Sequence, residues 1–115
     1  MKIDAVRKYA LALPDTTEAP HHHFSSFRVR GKIFVTVPPD EKHIHVFIGD
    51  DGRDAALAMD PEFLDKLLWG GKVVGLRVTL AAAKAAVVKS LLRQAHEHRA
   101  PKAAVRPRRG PTLEA

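Results

Sequence analysis

The run FSSFRVRGKIFVTV, Phe24 to Val37, constrains the chain more than any other stretch. Phe27, Val29, Ile33, Val35 and Val37 fall at every second position, the period of a strand with one buried face. Gly31 interrupts the run between Arg30 and Lys32, where a turn needs a residue that tolerates positive φ. The pattern therefore predicts a β-hairpin. A three-residue loop, with Val29 facing Ile33, keeps all the odd-numbered apolar residues on one face. A two-residue Arg30–Gly31 loop would put Lys32 on the face of Phe27 and Val29, so the longer loop is expected. Arg28, Arg30 and Lys32 then occupy the other face and the tip.

The flanking sequence completes an α+β pattern. Ile3, Val6, Ala10 and Leu13 recur at helical spacing, so a helix is predicted over 3–13, ended by Pro14. Residues 15–23 carry no period and read as a loop. Pro38-Pro39-Asp40-Glu41 reads as a turn, and His43 to Ile48 alternate as a further strand. Residues 53–58 suit a short helical segment. Asp60-Pro61-Glu62 has the residues of a helix start, which predicts a helix over 61–68. Residues 72–80 alternate again as a strand. A last helix over 82–98 buries Val87, Val88, Leu91, Leu92 and Ala95, and Pro101 stops it. The expected fold is an antiparallel sheet with the N- and C-terminal helices packed on one face. Residues 1–100 form one domain in this reading, and 101–115 a basic, flexible tail.

By parity the uncovered face carries Arg28, Phe34, Thr36, His43, His45, Phe47, Val73, Arg77 and Thr79. Exposed phenyl rings are uncommon without a partner. Either something docks on Phe34, His43, His45 and Phe47, or the segment 53–68 folds back over the rings.

Composition excludes several classes. The chain has 115 residues, enough for a core without covalent staples. It has no cysteine, which removes disulfides, thiolate metal sites and thiol catalysis. The N-terminal stretch lacks the apolar core of a signal peptide and no run approaches a membrane span, so a cytoplasmic protein with no membrane partner is expected. The net charge is +6. Lys102, Arg106, Arg108 and Arg109 against Glu114 place +3 of it in residues 101–115, leaving the remainder only mildly basic.

The loop ALPDTTE after a first helix, the segment HHHFSSFRVRGKIFVTV with its Phe27-x-Val29-x-Gly31-Lys32-x-Phe34 core, and the late strand followed by LLRQAHEHRAPK resemble the MmcQ/YjbR family. The resemblance spans about residues 3–103. It implies a fold similar to frataxin and CyaY, and a double wing of two β-hairpins proposed to grip DNA. Many members carry a Trp within Gly-Trp-Val-x-Val/Leu in the fourth strand. Here Val73-Val74-Gly75-Leu76 has none, and Trp69 precedes Gly70-Gly71 instead. A frataxin-like iron role finds no acidic ridge: the first helix holds only Asp4 before Asp15.

No catalytic set emerges, and no cofactor is expected. Ser25, Ser26 and Ser90 sit in no nucleophile-elbow pattern. Asp50-Asp51-Gly52 lacks the far ligand of a calcium loop, and Gly70-Gly71-Lys72 lacks the context of a phosphate loop. Of His21, His22 and His23, only His21 and His23 share a face in an extended chain, with Glu18 nearby; a solvated loop is the favoured reading. His43 and His45 share a strand face, where a half-exposed strand explains them. His96 and His98 suit the C-terminal dipole of the last helix.

The leading expectation is a non-enzymatic DNA-binding domain that uses Arg28, Arg30, Lys32, Lys72 and Arg77 on phosphates, with the tail adding nonspecific attraction. Five contacts give a log–log salt slope of roughly −4 to −5. The second is a protein-interaction or small-ligand module on the face around Phe34 and Phe47. The third is a metal site of His21, His23, His43 and His45. A monomer is expected rather than a dimer, although open sheet edges leave room for one.

Overall fold

The computed structural model describes residues 1–100, so the predicted tail 101–115 lies outside the described residues. In chain order the elements are α1 (Ile3–Leu11), β1 (Thr16–His21), β2 (Phe24–Val29), β3 (Lys32–Val37), β4 (His43–Val46), α2 (Asp50–Met59), β5 (Leu64–Trp69), β6 (Lys72–Thr79) and α3 (Ala85–Arg99). The strands form one antiparallel sheet in the order β1-β2-β3-β4-β6-β5. Phe27, Val35, Val46 and Leu76 are successive cross-strand partners, and direct partners share a face. All four are fully buried with Val6 and Ala10 of α1 and Val88, Leu91, Leu92 and Ala95 of α3. Those positions on α3 are spaced three and four apart, so one stripe of the helix seats on the sheet. The α+β fold expected from the sequence is present, with the terminal helices on one face.

The hairpin turn is tighter than predicted. Val29 pairs with Lys32, leaving Arg30 and Gly31 as a two-residue turn. Their φ values of 49° and 84° are both positive, as a type I′ turn requires. Lys32, paired with Val29, takes the face foreseen for this loop but stays exposed at the tip, and a register shift returns Val35 and Val37 to the Phe27 face: Phe27 pairs with Val35, but Arg28 pairs with Ile33. The extra residue, Phe34, bulges. Phe34 thereby leaves the open face to which parity assigns it. It is 0% exposed and meets the His96 ring of α3 edge-on, 5.4 Å between centroids.

Two further expectations are corrected. The predicted loop 15–23 contains β1, which pairs along its whole length with β2. Its sequence TTEAPH lacks an apolar alternation because β1 is an edge strand, where Pro20 is tolerated. The predicted helix over 61–68 is largely β5, which pairs with β6 through a turn at Gly70 and Gly71, with φ of 57° and 81°. Among the β5 residues only Leu64 and Leu67 are buried, a spacing of three that mimics a helix, and a bulge between Leu67 and Leu68 upsets the alternation.

Gly75 fixes how β6 passes β4. A Cβ there would be driven into the backbone carbonyl of Val46. The chain can leave β4 at Phe47 only because residue 75 has no side chain.

Candidate nucleic-acid interface

Strand direction sets the geometry of the site. β3 and β6 are both antiparallel to β4, so they run the same way and begin at the same end of the sheet. The β2–β3 turn at Arg30-Gly31 and the β5–β6 turn at Gly70-Gly71 therefore project from that one end, with the exit of β4 between them. Each turn is followed immediately by an exposed lysine, Lys32 and Lys72.

The five predicted cations are not equivalent. Arg28 is half-buried: its Nε donates to Ser26 Oγ at 3.0 Å and its Nη2 to the Pro20 carbonyl at 3.0 Å. These bonds tie it to the open face of the sheet. Arg30 is exposed but 4.0 Å from the Asp15 carboxylate, and its backbone N–H donates to the Asp15 carbonyl. Among the described residues Lys32, Lys72 and Arg77 form no ion pair. Arg77 stands exposed on the open face, in the cross-strand row that contains Thr36 and His45.

The open face also holds the predicted imidazoles. His45 Nδ1 lies 3.3 Å from the buried Thr36 hydroxyl. Burial, and then the positive charge of Arg77 and His43, holds the His45 imidazole below its ordinary pKa, with Asp40 opposing. His43 Nδ1 lies 3.1 Å from the Asp40 carboxylate. That carboxyl is lowered, chiefly by the Lys42 backbone N–H and then by His43. His21 and His23 do not converge. The β1–β2 turn at His22 carries His23 to a hollow beside Glu18, Phe24 and Pro38, while His21 faces the cleft described next. Among the described residues no group of three or more His, Cys, Asp or Glu side chains comes together.

Phe47 is not an exposed ring. It is 6% exposed, covered edge-on by Trp69 at 5.1 Å and by the Arg99 guanidinium 5.8 Å from its centroid. Between the two hairpins these residues leave a cleft of about 290 Å³ lined by His21, Ile33, Thr36, Phe47, Trp69, Val74 and Arg99. Sequence reasoning set Trp69 aside as a departure from a pattern and did not consider Arg99. A signal for Trp69 was present: the sole tryptophan stands directly before a Gly-Gly turn and a lysine.

Among the described residues no helix is long and apolar enough to cross a membrane. A family model described as YjbR matches residues 11–98. Comparison with curated proteins gives no match, and comparison with solved structures gives none.

Proposed function

The chain belongs to the YjbR family, and on that footing we propose that it is a non-enzymatic DNA-binding domain whose two hairpin tips hold the phosphate backbone. The observation that carries this reading is the emergence of both tight turns at one end of the sheet, each followed by an exposed lysine that has no ion partner among the described residues. Three strand spacings separate the centres of the two hairpins in the sheet order. At about 4.8 Å per spacing the tips stand about 14 Å apart. The major groove of B-DNA is about 12 Å wide, so the two lysines match phosphates on its opposite sides. A type I′ turn keeps each tip narrow and rigid, which limits the entropy lost on docking.

Four contacts are now expected, from Arg30, Lys32, Lys72 and Arg77, because Arg28 is held within the sheet. At about 0.9 per neutralised phosphate they contribute roughly −3 to −4 to the salt slope. The test is a titration of labelled duplex DNA at several salt concentrations with the full chain and with Lys32→Glu, Lys72→Glu and the double variant. Each reversal should weaken binding and flatten the slope by about 1. Unchanged affinity and slope in the double variant sinks the assignment.

A protein-interaction or small-ligand module is the second reading, favoured by the cleft around Phe47 and Trp69. Binding of that kind varies little with ionic strength.

A further inference from the structure

Trp69 is 51% exposed, although an indole usually buries most of its surface. It is not loose. Its ring is braced edge-on by the buried Phe47, and its backbone pairs with Lys72 at the base of the second tip. One side of the indole packs while the other borders the cleft between the tips. That cleft sits at the lower end of the roughly 300–1,000 Å³ spanned by small-molecule sites, which suits one flat ring system. Its floor is apolar, from Ile33, Phe47 and Val74, and Arg99 supplies a cation at its edge.

Charge decides among possible occupants. Lys72 follows the turn beside Trp69, Lys32 stands on the other tip, and both are exposed. A second copy of this chain pairing along the β5 edge would have to bring Lys66 into the seam, and a lysine on an edge strand discourages such pairing. A flat ring attached to an anionic chain meets both halves of the site: an aromatic face for the ring, flanking cations for the phosphates.

We propose that Trp69 and the cleft beside it take an unpaired nucleobase, so that the protein favours single-stranded or locally opened DNA over a closed duplex. This inference rests on the DNA-binding reading. It adds a stacking platform to the backbone grip: a base inside a duplex keeps its neighbours on both faces, and only an unstacked one can offer a face to the indole. Because every base has such a face, the site is tolerant of sequence. The rings of Phe34 and Phe47, which parity places on the open face, are buried and do not serve.

The sole tryptophan makes the test direct. The full chain is titrated with a mixed-sequence single-stranded deoxyoligonucleotide and, separately, with its duplex, following intrinsic fluorescence and the anisotropy of labelled DNA. Stacking should quench Trp69 saturably with the single strand and much less with the duplex. Trp69→Ala should weaken single-strand binding by roughly 5- to 150-fold, the loss of one base–aromatic stack, and leave duplex affinity within about two-fold. Trp69→Phe should restore part of it. DNA binding without quenching, and with Trp69→Ala unaffected, overturns the stacking site while the backbone grip stands. Absence of binding to either DNA form overturns both readings. A concentration-dependent shift of Trp69 emission without DNA, accompanied by a larger species in size-exclusion chromatography, assigns the indole to contact between copies and also overturns the inference.

Discussion

His45 sits where the sheet's chemistry is most finely balanced. It lies beside the buried Thr36 hydroxyl, opposite Arg77 across the β4–β6 ladder, and two residues from His43. Burial and the neighbouring cations favour its neutral form, so its folded pKa lies below the ordinary value of 6.5. A lowered pKa means that the unfolded chain takes up the proton first as the solution is acidified. The stability linked to His45 is thus complete above about pH 6.5 and is lost as pH falls through the lowered folded value. Glu18 works in a lower window. Burial alone would raise its pKa, but hydrogen bonds from Arg7 Nε at 2.9 Å and Ser25 Oγ at 2.7 Å hold it below 4.5. Its contribution is lost only as pH falls from about 4.5. Melting temperatures of the protein and of His45→Gln should therefore keep a constant separation above pH 6.5 and change it between pH 6.5 and 5, with the parent falling faster. Parallel curves over that interval would show that protonation of His45 is not linked to folding.

Among the elements, the β2–β3 hairpin separates stability from charge. Arg30 occupies left-handed backbone at φ 49°, where a side chain other than Gly, Asn or Asp costs about 1 kcal/mol. Asn-Gly is the favoured type I′ pair, so Arg30→Asn should preserve stability or raise it by about 0.5–1 kcal/mol in chemical denaturation. The same change removes a cation from the tip and should weaken duplex DNA binding. Loss of stability instead would mean that the contacts with Asp15 outweigh the turn geometry. This turn also marks how far the sequence could be read. Its location, the strands at 43 and 72, and both terminal helices follow from clear period-two or helical spacing. The bulge at Phe34 does not, because alternation alone cannot reveal an extra residue. β1 is hidden because an edge strand needs little apolar surface, and β5 because its buried leucines fall three apart. The basic residues of the candidate site were legible as residues. Their arrival at one end of the sheet was not, since that depends on the strand order, which places β6 between β4 and β5.

Over the whole molecule, charge is less evenly spread than its total suggests. Many acids are engaged: Asp4, Glu18 and Glu41 around Arg7, Asp50 and Asp54 around Arg53, Asp40 on His43, and Asp60 on Lys84. Pairing cancels their field at the distance where a polyanion is first felt. Lys32, Lys72 and Arg77 have no such partner among the described residues, so part of the uncompensated positive charge of residues 1–100 stands at the tips and the adjoining open face, and part, on Lys2, Lys8, Lys42, Lys66, Lys89, Arg93 and Arg99, lies elsewhere. In the proposed DNA-binding role the cations Lys102, Arg106, Arg108 and Arg109 are expected to be a separate source of attraction. Two independent sources should contribute additively. Ending the chain after Ala100 should lower DNA affinity and flatten the salt slope by up to roughly 3 to 4, one counterion's worth for each of four cations. The fold-change caused by the Lys32→Glu, Lys72→Glu pair should nevertheless be the same in the shortened and full chains. If that fold-change disappears with the last residues removed, the attraction belongs to them and the hairpins only lie nearby. If it persists undiminished, the sheet end is a binding surface in its own right and the C-terminal cations merely raise the local concentration of DNA around it.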